Sequence, residues 1–290
     1  MQTINIHTDS LILHHALDQK KTDQYALHCH NFYEVFYFVA GDVSYLVEGK
    51  RYVPEPHSLL LIAPHVFHGV KIESDIPYER ISLHFVPGFL HPENQSVLLS
   101  PFHAEYGSAG IYYKDNGDHL MYPFFKQLID ARFADEAIRE LSLRVRLEAL
   151  LSQILMSSYS LKGASETSSS IKSVSRIIAY LNNHITESIK LDDLSAALYI
   201  SKHHLNKMFR RATGTTVGNY VTHKRVVMAQ NLILHGQTAS SAAAAVGFHD
   251  YSSFFRAYKK VLGYPPSVKH NAILLKDGSI HPAARRVGIE

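Results

Sequence analysis

Three residues near the N-terminus carry side chains that can ligate a metal ion, and their spacing is regular. His28, His30 and Glu34 all stand at even positions, and side chains alternate along an extended chain, so all three are predicted to face the same side of a strand. Imidazole nitrogens and a carboxylate oxygen suit a divalent transition metal. The same groups also line polar effector pockets or form hydrogen bonds inside a barrel, and spacing alone leaves these alternatives open. Cys29 is predicted to face outward or into packing, without a nucleophilic role.

A second set of functional side chains lies in a repeat of the C-terminal part. Each copy reads as a short helix, a tight turn, a capping residue, a second helix and a glycine stop. This order is typical of a helix-turn-helix unit, and its recurrence after 49 residues predicts two such units. The matching positions are Ser201 with Asp250, Leu205 with Phe254, Phe209 with Tyr258, and Gly214 with Gly263.

The outward faces of the two capped helices carry side chains that reach base edges and phosphates in a major groove. The first set is Lys202, His203, Asn206, Lys207 and Arg210; the second is Tyr251, Ser252, Arg256, Lys259 and Lys260. A solvated charged face is the alternative interpretation for either helix. A long helix over Val217–His235 is predicted to hold the units so that their reading helices enter successive grooves ~34 Å apart.

Charge favours the DNA-binding interpretation. Residues 1–170 carry a net charge of −7 and residues 171–270 a net charge of +9, as expected when the C-terminal part binds a polyanion. The single cysteine excludes an intrachain disulfide. No apolar run approaches the ~20 residues of a membrane span. These features predict a cytoplasmic protein that does not bind membranes.

The elements that position these residues divide the chain into two domains. Strands at Val35–Val39, Val43–Val47 and Leu59–Ile62 predict an antiparallel barrel or sandwich, and a helical pattern runs from His119 to Tyr159. Serine-rich residues 157–170 read as a flexible linker. The predicted units are a sensing and dimerisation domain at 1–160, a linker at 161–170, a DNA-binding domain at 171–270 and an irregular tail at 271–290.

One apolar stripe in the first domain has two interpretations. It lies on a helix predicted at Ala134–Tyr159, and its spacing fits either a dimer contact or an intramolecular core. Its residues are Leu143, Leu147, Leu150 and Ile154.

The C-terminal repeat resembles the AraC/XylS family of bacterial transcription regulators from Ile171 to His270. The residues that carry the resemblance include Leu194, Ser201, Leu205, Phe209 and Gly214, then Gly247-Phe248, Asp250, Phe254, Tyr258-Lys259-Lys260, Gly263 and Pro266. The resemblance implies that base-reading positions fall on His203, Asn206 and Lys207, and on Tyr251, Ser252 and Arg256. It also implies a homodimer paired through the N-terminal domain, and activation through contact with RNA polymerase.

The N-terminal part resembles the cupin superfamily in two motifs. His28, His30, Glu34 and Gly41 match the first motif, and Pro64 with His68 match the second, although His57 stands where a glycine is expected. His68 completes a set of three imidazoles and one carboxylate suited to Zn, Ni, Fe or Mn. Further candidates for the effector pocket are Tyr37, Tyr45, Arg80 and His84.

Together these observations predict a two-domain α+β protein. A cupin-like β-barrel with appended helices precedes an all-α domain with two helix-turn-helix units. The predicted function is sequence-specific, DNA-binding transcription regulation, as an activator, in response to a small molecule such as a sugar or a metal in the barrel. No catalytic residue is assigned. The alternative function is a metal-dependent cupin enzyme fused to a DNA-binding domain.

Overall fold

The computed structural model describes residues 3–22, 28–103, 111–114, 117–160, 169–197, 199–213 and 215–268. As predicted, strands dominate the N-terminal part and helices the C-terminal part. The strands are β1 (Ile4–His7), β2 (Leu11–Asp18), β3 (Tyr33–Ala40), β4 (Val43–Val47), β5 (Lys50–Tyr52), β6 (Leu59–Ile62), β7 (His68–Ile72), β8 (Tyr78–Phe85) and β9 (Tyr112–Tyr113).

Within these residues the strands form two antiparallel sheets that share one core. The larger sheet has the order β1-β2-β8-β3-β6-β9, and the smaller one β5-β4-β7. The ring of Phe36 on β3 lies 4.5 Å from that of Tyr45 on β4, so the inner faces of the two sheets meet. The N-terminal domain is therefore the sheet-rich barrel predicted from the sequence.

Strand β3 lies at the centre of the larger sheet, and both of its faces are covered. It pairs with β6 on one side and β8 on the other, which places Glu34 opposite Ile62 and His84. All residues from Tyr33 to Phe38 are buried, as expected for a strand between two apolar layers. Glu34 faces the barrel interior, and Tyr37 faces the helices outside.

Among the described residues, three helices cover the outer face of the larger sheet, namely α1 (Pro92–Leu98), α2 (Tyr122–Asp130) and α3 (Glu136–Ser160). The structure decides between the two interpretations of the apolar stripe on α3. All four of its residues are fully buried in the core of the N-terminal domain, so the stripe is intramolecular: Leu143, Leu147, Leu150 and Ile154. A different face of α3 leaves Ile138, Leu141 and Val145 more than half exposed.

The C-terminal helices are α4 (Ser169–Asn183), α5 (Leu191–Ala197), α6 (Lys202–Thr213), α7 (Val217–Leu234), α8 (Ala239–Ala245) and α9 (Tyr251–Leu262). The predicted caps at Ser201, Asp250 and Gly263 are present, and Gly214, the predicted stop of α6, lies outside the described residues. The Ser201 hydroxyl accepts a hydrogen bond from the backbone of His204, and the Asp250 carboxylate one from Ser253. Gly263 ends α9 with a φ of 82°, a conformation that glycine adopts at no steric cost. Helices α5–α6 and α8–α9 are the two helix-turn-helix units.

Helix α7 joins the two units and packs against both. Tyr220, Val221, Val227 and Ile233 are buried, and Leu232 and Leu234 are half-buried. Helix α7 contributes to one core with the first unit and to another with the second, so its buried residues surround much of the helix.

The predicted linker begins later than serine content indicates. Residues 157–160 form the last turn of α3, and Ser169 and Ser170 begin α4. Residues 161–168 and the predicted tail at 271–290 lie outside the described residues. None of the described helices combines the length and apolar character needed to cross a bilayer.

Candidate effector site and DNA-binding surface

Four side chains converge inside the barrel, and they are the four that the sequence predicts. One ligand atom from each of His28, His30, Glu34 and His68 lies within 4.8 Å of the others. We call these residues the barrel cluster. Backbone pairing holds them together, because His28 and His68 exchange two N–H···O=C hydrogen bonds of 2.9 Å. Glu34 approaches from β3 in the opposite sheet.

The Glu34 carboxylate is the centre of the barrel cluster. Its Oε2 lies 3.1 Å from Nε2 of His30, 2.9 Å from Nε2 of His68 and 3.5 Å from Nε2 of His84. Glu34, His30, His68 and His84 are all buried. A carboxylate in such a place needs a positive or hydrogen-bonding partner to offset the loss of water.

In two histidines of the barrel cluster, Nδ1 already forms a hydrogen bond with a backbone carbonyl oxygen. Nδ1 of His30 lies 3.0 Å from the Phe32 carbonyl oxygen, and Nδ1 of His68 lies 2.8 Å from that of Val66. A carbonyl oxygen accepts only, so both Nδ1 atoms carry the proton, and in a neutral ring Nε2 is then a lone pair. Among the described residues, Nε2 of His68 makes no hydrogen bond although it is close to Glu34.

Burial favours the neutral form of His30. Loss of water lowers the pKa of His30 to about 3, although Glu34 lies beside it. Burial alone would raise the pKa of Glu34, but His84 and the contacts with His30 and His68 hold it well below its usual range. The cluster therefore combines an ionised carboxylate with the Nε2 atoms of two rings whose Nδ1 atoms are held by backbone carbonyl oxygens, which is the arrangement of a metal-ligand set whose rings are oriented from outside.

Two of the further pocket candidates lie beside the barrel cluster. His84 contacts Glu34 from β8 as described. The ring of Tyr45 is parallel to that of His68, with centroids 6.2 Å apart. Both therefore line the same interior space as the four ligand candidates.

The prediction for Tyr37 was wrong. Its ring lies 4.6 Å from that of Phe125 on α2, and its hydroxyl lies 2.9 Å from Nδ1 of His57. Tyr37 stands at an odd position of β3, so it faces the side opposite Glu34. His57 itself has a φ of 65°, the left-handed conformation that explains a glycine preference at this position.

Arg80 shares the inner face of β8 with His84 but pairs elsewhere. Its guanidinium forms an ion pair with Asp18 of β2 and lies over the Tyr78 ring. Arg80 lies four positions before His84 on this strand, or roughly 13 Å away. Arg80 therefore belongs to another part of the barrel.

The predicted DNA-contact face of α6 is largely exposed. Leu205 and Phe209 are fully buried on the inner face of this helix. Asn206 is half-buried, and the remaining predicted contacts are exposed, namely Lys202, His203, Lys207 and Arg210. Lys202 also pairs with Asp192 on α5. Tyr199, in the turn of this unit, is 95% exposed.

The predicted DNA-contact face of α9 is also exposed. Phe254, Tyr258 and Leu262 are buried. All five predicted contact residues are exposed: Tyr251, Ser252, Arg256, Lys259 and Lys260. In both units, amide, hydroxyl, aromatic and cationic groups therefore lie on the outer face of the second helix, the element that enters the major groove in helix-turn-helix proteins.

Comparison with known proteins agrees with this two-part architecture. A family described as "AraC-like ligand binding domain" matches residues 16–155, and one described as "Helix-turn-helix domain" matches residues 194–271. The uncharacterized regulator YbfI of Bacillus subtilis is 24% identical over 226 residues, 78% of this chain and 79% of that protein. The transcriptional activator AarP of Providencia stuartii is 30% identical over 33% of this chain and 71% of that protein. The crystal structure of ToxT from Vibrio cholerae O395 is similar with a TM-score of 0.39 and 16% identity, over 90% of this chain and 96% of that one.

The helix-turn-helix match includes both α6 and α9, and the ligand-binding match includes all four residues of the barrel cluster. Sensing and DNA-binding parts thus occur in one chain. The chain belongs to the AraC/XylS family of transcription regulators, with an N-terminal ligand-binding domain and a C-terminal DNA-binding domain.

Proposed function

We propose that this regulator responds to a divalent transition metal bound by the barrel cluster, His28, His30, Glu34 and His68. The ligand set of three imidazoles and one carboxylate suits Zn, Ni, Fe or Mn. The metal would neutralise Glu34 and accept the imidazole lone pairs. The regulator is then a metal-controlled DNA-binding protein.

One observation carries this proposal. His30 and His68 both use Nδ1–H on backbone carbonyl oxygens, so both turn Nε2 towards the same carboxylate oxygen, at 3.1 and 2.9 Å. In a neutral ring Nε2 is an acceptor, so this buried carboxylate is satisfied either by a second proton on a ring or by a cation held between the rings and Glu34. A bound metal ion satisfies both rings and the carboxylate at once.

The DNA-binding part acts through the reading faces of α6 and α9. Phosphate contacts from their Lys and Arg side chains would make binding steeply dependent on salt. Since the relative AarP is named an activator, we infer activation as the outcome, through contact with RNA polymerase. A homodimer would place two such domains on two half-sites, and the exposed apolar face of α3 supports that assembly.

Elemental analysis of protein purified without an affinity tag tests whether the barrel cluster binds a metal ion. We expect about one equivalent of a transition metal per chain, and none in His30→Ala. The matched control is His91→Ala, which removes an exposed histidine of the same domain and should leave the metal content unchanged. A wild-type protein without metal, also after incubation with Zn²⁺, Ni²⁺, Fe²⁺ or Mn²⁺, contradicts the proposal.

DNA selection tests the response. Bound sequences are first selected from random duplexes with the full chain, and affinity for the selected duplex is then measured with and without a chelator. We expect a change of at least fivefold in the wild type and none in His30→Ala. If the affinity for the selected duplex does not depend on metal but changes when sugars are added, the effector is a sugar.

A further inference from the structure

The barrel and the first helix-turn-helix unit meet in a buried contact that the barrel cluster itself borders. Cys29, Leu46 and Phe67 of the barrel share one apolar core with residues of α4, α6 and α7, including Ile178, Phe209 and Tyr220. The ring of Phe67 lies 5.1 Å from that of Tyr220, and Tyr220 lies 5.5 Å from Phe209 on α6. The core of the first unit is thus continuous with the barrel surface.

A charged pair lies inside this apolar contact. Nζ of Lys224 on α7 lies 3.0 Å from Oε1 of Glu48, which follows β4, and both side chains are less than a tenth exposed. Glu48 also accepts hydrogen bonds from the hydroxyl of Tyr220 and, at 3.0 Å, from the backbone N–H of Phe67. Lys224 donates further to Asn182 on α4. Each polar group of the pair is therefore bonded across the domain boundary.

The turn that carries Glu48 is shaped for close approach. Gly49 has a φ of 77°, and a Cβ atom there would lie 2.9 Å from side-chain carbons of both Val174 and Ile178 on α4. The absence of a side chain at position 49 lets the turn pack directly on α4. The close contact between this turn and α4 therefore depends on glycine at position 49.

Strand alternation connects the charged pair to the barrel cluster. His28 and His30 face inward while Cys29, between them, faces the DNA-binding domain; likewise His68 faces inward while Phe67 faces Tyr220. Two of the chain segments that supply ligands thus also supply the domain contact. A shift of either segment on ligand binding moves a residue that touches α7.

We propose that the ion pair of Glu48 and Lys224 holds the first helix-turn-helix unit against the barrel and couples metal binding at the barrel cluster to the position of α6. We call this ion pair the latch. The coupling to metal binding rests on the function proposed above. The latched state leaves the outward contact residues of α6 exposed, so the latch sets the position of the reading helix and does not cover it. Release of the latch frees the first unit from the barrel.

Cys29 reports the latch directly. It is fully buried at the domain contact and is the sole cysteine of the sequence. Its alkylation by iodoacetamide, followed by mass spectrometry, is measured in the wild type, in Glu48→Gln, in Lys224→Met and in the double variant. We expect alkylation at least tenfold faster in each single variant and no further increase in the double variant, because both changes remove the same contact.

The control is Glu55→Gln, which removes an exposed partner of Lys114 in the same domain and should react like the wild type. Tyr220→Phe removes one hydroxyl from the contact and serves as a milder variant if the charge variants fail to fold; we expect at least threefold faster alkylation. Rates within twofold of the wild type in folded Glu48→Gln, Lys224→Met or Tyr220→Phe would overturn the latch.

Transmission is tested with Zn²⁺ or Ni²⁺ alone and the selected duplex. In the wild type the metal changes DNA affinity; in Glu48→Gln we expect bound metal at one equivalent and less than a third of that change. A full response in Glu48→Gln overturns transmission. A wild type that binds no metal defeats the proposed effector instead, and the alkylation rates then decide the latch by themselves.

Discussion

The ring of Phe67 meets that of His223 nearly at a right angle, with centroids 5.2 Å apart. Phe67 precedes the ligand candidate His68, and His223 lies on α7, so this pair is part of the contact between the two domains. His223 is 7% exposed, and burial lowers its pKa to about 4. The imidazole is therefore neutral in the folded protein at neutral pH.

This burial predicts a pH dependence of stability. The pKa of His223 is about 4 when folded and close to its ordinary 6.5 when unfolded, so the unfolded chain binds the proton first as pH falls. The free energy of unfolding should fall from pH 6.5 towards pH 4. His223→Leu should reduce the slope of this fall by up to about 1.4 kcal/mol per pH unit, measured by guanidinium denaturation at fixed pH values.

His235→Leu is the matched control for this measurement. His235 lies at the exposed end of the same helix, so its replacement should leave the wild-type slope unchanged. Equal slopes for His223→Leu and the wild type would show that His223 is protonated alike in both states.

Local patterns predicted the parts of the protein that depend on local chemistry. Parity along the chain put His28, His30 and Glu34 on one side, and capping preferences located the starts of α6 and α9 at Ser201 and Asp250. Tyr37 stands at an odd position of the same strand, so the same alternation excludes it from the pocket. The alternation was not applied to Tyr37, and its assignment to the pocket was therefore wrong.

Other features depend on contacts that no local pattern contains. Glu48 and Lys224 are 176 residues apart, and neither is distinguished from a solvated charge until the fold brings them together. The role of the α3 stripe was likewise open, because a core helix and a dimer helix have the same apolar period. The burial of Leu147 and the exposure of Leu141 decide it.

Base readout by α6 leads to a prediction for Asn206. Asn206 is half-buried on α6 and is flanked along the helix by the exposed His203 and Lys207, so part of its side chain is open to a base in the groove. Asn206→Ala should weaken binding to the selected duplex by about 1–3 kcal/mol and relax the preference at one base position. Repeating the selection with the variant measures both effects. An unchanged consensus contradicts a reading role for Asn206.

Phosphate contact leads to a different prediction for Lys259. This lysine lies exposed in the last turn of α9, beyond the first turn that carries Tyr251 and Ser252. Lys259→Ala should weaken all duplexes about equally and lower the slope of log affinity against log salt by roughly one. Titrations at several salt concentrations, with selected and scrambled duplexes, provide the measurement. A loss confined to the selected duplex would assign Lys259 to base readout.

Helix α3 offers two leucines with opposite environments. Leu147 is fully buried and Leu141 is 58% exposed, so their replacements should affect different properties. Leu147→Ala should lower the free energy of unfolding by about 2–5 kcal/mol, because it leaves a cavity in the core.

Leu141→Glu should leave the folded monomer stable but separate the proposed dimer, since a charge cannot be buried there without a partner. Light scattering should then give half the wild-type mass; an unchanged dimer would place the subunit contact elsewhere.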